Sequence, residues 1–168
     1  MIRDFNGKNP QIAASAFVSE TAYVVGDVEI GENANIWPGA VIRGDIAKIT
    51  IGKNTSIEDN CVVHSAKDII IGDNTIVGHG AVVHCKKIGN NVLIGNNATV
   101  LDNAEIEDYC IIAAGSVVAP ETKFPAESLA VGVPAKVKDK LSKEQKDYIT
   151  IGSAFNIKLA QIYKKEGL

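Results

Sequence analysis

The chain carries three histidines, His64, His79 and His84, all within twenty-one consecutive residues of a 168-residue sequence. Three neutral imidazoles around one ion, with a fourth position open, describe a catalytic zinc site rather than a closed structural one. Charged residues accompany them: Arg43, Asp45, Glu58 and Asp59. Cys85, next to His84, is either a soft ligand or a small packing residue, and packing is the expected role. Whether three rings can meet depends on the scaffold that holds them.

That scaffold is written as a repeat of six. From Ile12 the positions Val18, Val24, Ile30, Ile36 and Ile42 follow in steps of six. After a break come Ile51, Ile57 and Val63, then Ile71, Val77 and Val83, then Ile88, Ile94, Val100, Ile106, Ile112 and Val118. All eighteen positions are Ile or Val. The fourth place of the repeat is mostly Asn or Gly, types that tolerate a left-handed backbone, as at Asn54, Asn74 and Gly80. The fifth is mostly small, as at Ala40, Cys61, Ala81 and Cys110. Each unit therefore reads as a short strand with a β-branched side chain inside, ending in a tight corner. Three units close a triangular coil, and eighteen units give about six coils, a prism roughly 29 Å tall at the spacing of paired strands. Scarce aromatics, 5% of the chain, suit a core of thin branched side chains.

The breaks fall around the histidines. Extra residues lie at Ala47–Lys48–Ile49 and Asp68–Ile69, and one is missing before Ile88; insertions in a solenoid are expected as corner loops. His64 and His84 each follow an inward Val and are separated by one coil plus the two-residue insertion. They should stand on adjacent coils about 4.8 Å apart, pointing outward. His79 falls nearly a full side away, so a third ligand must come from a neighbouring molecule. Threefold packing would set the His79 edge of one chain against the His64/His84 edge of the next.

Three stretches carry a family likeness: Arg43-Gly44-Asp45, Ile57 to His64 and Gly78 to His84. With them the chain resembles the γ-class carbonic anhydrases, hexapeptide-repeat proteins built on a left-handed parallel β-helix. The resemblance implies that handedness, a homotrimer, and metal sites between subunits with ligands matching His64, His79 and His84. It also implies that Arg43 pairs across the interface with Asp59, and that Asp45 belongs to the same motif. That contact is either part of the site or a purely structural ion pair fixing subunit register. The implied activity is reversible hydration of carbon dioxide to bicarbonate by a metal-bound hydroxide, with zinc, cobalt or ferrous iron as the ion.

Departures from the founding type bear on turnover. It has Gln and Asn where this chain has Glu58 and Ser56, and its tyrosine near the site corresponds to Ile111. Its acidic proton-shuttle loop has no counterpart between His64 and His79, which leaves Glu58 as the candidate for proton handling. Two alternatives stand: an acyltransferase of the same fold using acyl-CoA, and a non-catalytic metal-binding homologue.

Residues 1–11 read as an N-terminal segment, 12–134 as the β-helix and 135–168 as a linker and helix. Ser142-Lys143-Glu144-Gln145 is a capping box, and a helix is expected from Lys143 to about Lys165, packed along the prism or on a neighbour. Its apolar stripe is Ile149, Phe155, Leu159, Ile162 and Tyr163. Trp37 and Pro38 are expected to line a groove near Arg43 or to be buried at the interface. A net charge of -3 gives no basic surface for nucleic acid, and no apolar run approaches the roughly 20 residues of a membrane span. Three cysteines without a CxxC pair, and no leader-like N-terminus, make cytoplasm the expected location.

Overall fold

Sixteen of the eighteen repeat positions are buried in one continuous core; Ile12 and Val18, at the N-terminal rim, are half-buried. Each such Ile or Val contributes about 1.5–3 kcal/mol by leaving water. The computed structural model describes residues 1–168 as a left-handed β-solenoid of three flat faces with one C-terminal helix. The first face stacks Val62–Val63, Val82–Val83, Thr99–Val100 and Val117–Val118 in parallel register. The second stacks Ile69–Ile71, Lys87–Ile88, Glu105–Ile106 and Lys123–Phe124. The third runs from Phe17–Val18 through Asn35–Ile36, Ser56–Ile57, Ile76–Val77 and Leu93–Ile94 to Ile111–Ile112.

The corners form for the reason the repeat suggests. Seven asparagines, from Asn33 to Asn103, adopt φ of 54–59° at the fourth place. Side-chain amides link some of them between coils, Asn33 Nδ2 donating to Asn54 Oδ1 at 3.3 Å and Asn54 Nδ2 to Asn74 Oδ1 at 3.0 Å. The small fifth-place residues fill the corners from inside and, with the exception of half-buried Thr122, are buried.

Two features differ from expectation. The first insertion is not a loop: strand Val41–Ile51 runs unbroken from the first face onto the second. It follows Tyr23–Ile30, which turns the same corner, and a register shift after Gly26 absorbs the extra residues as a bulge. The stack also continues past Val118. Phe124 and Ala130 occupy the next inward positions, so the coils number about seven. Pro120 and Pro125 lie outside the short strands and remove no ladder bond. Strand Ala135–Lys140 then returns antiparallel on Ser128–Gly132 and covers that edge.

The helix spans Lys143–Glu166, one residue beyond the expected end. Ser142 Oγ accepts from the Gln145 amide at 3.2 Å while Gln145 Oε1 accepts from the Ser142 amide at 2.8 Å. Gly167, left-handed at φ 78°, closes the far end. The helix lies along its own third face, burying Ile149, Ser153 and Ala160. Phe155 and Ile162 do not join that contact; both are exposed. Trp37 neither lines a groove beside Arg43 nor waits at an interface. It is buried under the helix, edge-on to Phe17 and Tyr163 at 5.5 and 5.2 Å, with Nε1 donating to Asn35 Oδ1 at 2.7 Å. This helix is not long and apolar enough to cross a membrane.

Candidate metal centre

The first face is bounded by two edges, and the histidines divide between them. On one edge the main chain sets the register: the His64 amide donates to Val83 O and the His84 amide to Val100 O. The two rings therefore sit on adjacent coils, centroids 5.7 Å apart and tilted by 52°. An acidic residue flanks each. His64 Nε2 lies 3.1 Å from Asp45 Oδ1 on the preceding coil, and His84 Nε2 lies 3.4 Å from Asp102 Oδ1 on the following one. Arg43 binds the other Asp45 oxygen, Oδ2. Burial pushes the Asp45 carboxyl up, but the hydrogen bond and charge of Arg43, with His64, outweigh it and hold it below the usual value.

On the opposite edge His79 stands alone, its side chain 56% exposed. Nδ1 lies 2.9 Å from Asp59 Oδ2 and Nε2 lies 3.1 Å from Glu58 Oε2. Both ring nitrogens thus face a carboxylate, which restrains the ring's orientation. Glu58 is itself held. Its Oε2 accepts the His79 amide at 3.2 Å, and its Oε1 accepts Asn156 Nδ2 of the helix at 3.0 Å.

One chain thus brings together His64, His84, Arg43 and Asp45, and separately His79, Glu58 and Asp59. No group of three or more His, Cys, Asp or Glu side chains in a single chain is placed to hold an ion. Two neighbouring imidazoles facing outward are a donor set that fits a borderline cation such as zinc. Cys85 is not part of this set. It lies in the core, and burial pushes its thiol up to about 12, as it does for Cys61. Arg43 meets Asp45 rather than Asp59 within the chain. Ser56 is buried with its hydroxyl unpartnered. Ile111 lines a groove of about 590 Å³ between the third face and the helix, as do His79 and Glu58.

Sequence reasoning missed two residues. One coil after His84 is Leu101, and Asp102 is the next residue, so the count leads to within one place of it. Asn156 has no such signal, because its position depends on how the helix docks.

The sequence pattern described as "Bacterial transferase hexapeptide (six repeats)" matches residues 9–44 and 86–120. A solved structure titled putative acetyltransferase, from Bacillus cereus, superposes with TM-score 0.95 at 36% identity, over 98% of this chain and 97% of that one. Fold and repeat together define a hexapeptide-repeat protein. A carbonic anhydrase of Geobacillus kaustophilus is 44% identical over 146 residues, 86% of this chain and 80% of that protein. Gamma carbonic anhydrase 2, mitochondrial, of Arabidopsis thaliana is 40% identical over 167 residues, 95% of this chain. The chain spans 60% of the length of that plant relative. It belongs to the γ-class carbonic anhydrase-like family.

Proposed function

We propose that the protein is a metal-dependent carbonic anhydrase that works as a homotrimer with each site shared by two chains. One observation carries this reading: a single face, with Val62 and Val82 exposed on it, is bounded by the His64/His84 pair on one edge and His79 on the other. Turning three copies about an axis in front of that face sets each His79 against the next chain's pair and covers the valines.

His64 and His84 of one chain and His79 of its neighbour would hold the ion, with zinc the first choice and cobalt or ferrous iron also suited. A bound ion supplies Lewis acidity, lowering the pKa of a water towards about 7, as three-histidine zinc sites in carbonic anhydrases do. Asp45 braces the His64 ring and Asp59 the His79 ring. Arg43, with donors left over after Asp45, reaches for the neighbour's Asp59 and sets subunit register. Glu58 Oε2, 3.1 Å from His79 Nε2, is the acceptor for the proton released in hydration. The three free, buried cysteines support a reducing compartment, with cytoplasm the simplest.

Anaerobic purification with metal quantification, followed by CO₂ hydration on wild type and His79→Ala, tests this. The expectation is about one ion per chain and activity that both disappear in the variant. A metal-loaded protein without CO₂ hydration leaves the non-catalytic homologue. The acyltransferase reading has one observation in its favour, the apolar groove beside His79, and acetyl-CoA binding that survives loss of the histidines would support it.

A further inference from the structure

We propose that the bulged turn of strand Val41–Ile51 in one protomer docks, through Ile46, on the outer face of a neighbouring protomer's C-terminal helix. This rests on the shared-site trimer above and adds a second contact to it. The helix leaves Tyr148, Ile151, Phe155 and Ile162 exposed although its other face is packed. Their three- and four-residue spacing gathers them on one side. Single exposed apolar residues mean little, but an aligned set marks a contact surface.

The side they occupy is informative. Tyr148, Ile151 and Phe155 line the same groove as His79. The stripe therefore borders the edge that a second copy must approach to complete the site. Within that approach the level can be read off. The partner's His84 shares the coil level of His79, so its Asp45, one coil before its His64, stands about 4.8 Å further towards the N-terminal coils than the level of Glu58 and Asp59.

On the helix, Asn156 marks that level through its bond to Glu58. The helix descends towards the N-terminal coils, since Lys164 Nζ reaches Ala16 O at 2.9 Å. With about 1.5 Å per residue, one coil corresponds to roughly three helix residues. Phe155 and Ile162 thus bracket the level of the partner's Asp45. The large apolar side chain beside Asp45 is Ile46, 64% exposed in the bulged part of the strand.

Co-expressing an Ile46→Cys chain with a differently tagged Phe155→Cys chain, under mild oxidation, tests the contact. The native thiols are buried and compete poorly. The expected result is a covalent two-chain band carrying both tags, at least about tenfold stronger than with Tyr148→Cys, because a disulfide needs Cα atoms about 4.4–6.8 Å apart. Ile162→Cys provides a second positive partner. A wild type that sediments as a trimer, yet yields no band or an equal band with Tyr148→Cys, overturns the Ile46 contact and spares the shared site. A wild type that sediments as a monomer removes both.

Discussion

The two edges of the first face are built by different means. The His64/His84 edge is made by the repeat itself: parallel register stacks the rings, and carboxylates from the coils on either side brace them. These side chains are 17% and 31% exposed. The His79 edge has one ring, 56% exposed, braced by its own corner and, through Glu58, by a helix nearly a hundred residues on. The first edge is preorganised by the core, and the second is set by tertiary docking of the helix. On the proposed reading, local regularity supplies two ligands and assembly supplies the third, so metal occupancy would follow the oligomer.

The sharpest way to break this picture is to remove a ligand. His64→Ala or His84→Ala should abolish stable metal retention and lower CO₂ hydration by more than about a hundredfold, with the trimer intact by sedimentation. Removing a brace should cost less. Asp45→Asn and Asp59→Asn are each expected to weaken metal affinity by about 10–100-fold, measured by competition with a chelator. If Asp59→Asn has no effect, the His79 edge is not held as described.

Separating the edges calls for a milder change. Asn156→Ala removes the helix's hold on Glu58 and should lower stability by about 1 kcal/mol in urea, through one lost hydrogen bond. Its effect should appear in the NMR signals of His79 and leave those of His64 and His84 in place. Movement of all three sets would mean that the two edges are not independent.

The smallest expected effect lies away from both edges. Hydrogen bonds from Lys123 and Lys86 hold the Glu105 carboxyl below its ordinary value of 4.5. A depressed native pKa means that this stabilisation is present above that value and fades as pH falls through the native one. Glu105→Gln should therefore flatten the acid limb of a stability-versus-pH curve slightly, and added salt should do the same to wild type.

Much of this was legible in the chain because a six-residue period fixes inside and outside at every step. Ile88 is buried where the count places it, and Asn97 turns left-handed where the corner needs it. The same period placed His64 over His84. What it left out lies off the repeat. The Val41–Ile51 strand swallowed an insertion because its neighbour Tyr23–Ile30 offered a continuous ladder around the corner. Trp37 went under the helix, and Phe155 and Ile162 faced out, because the third face chose which side of the helix to bury. No hexapeptide count contains that choice. Asp102 was within reach of the count.

The central claim is that each site is made from two half-sites on different chains. Co-expressing equal amounts of His64→Ala and His79→Ala chains tests it, since neither variant alone can assemble a three-histidine site. In a closed threefold ring, every mixed trimer contains one junction where both halves are intact. Random mixing should then restore about a quarter of the wild-type metal content and CO₂ hydration. Recovery near that fraction supports the shared site. Trimers of confirmed mixed composition that recover neither metal nor activity would contradict it.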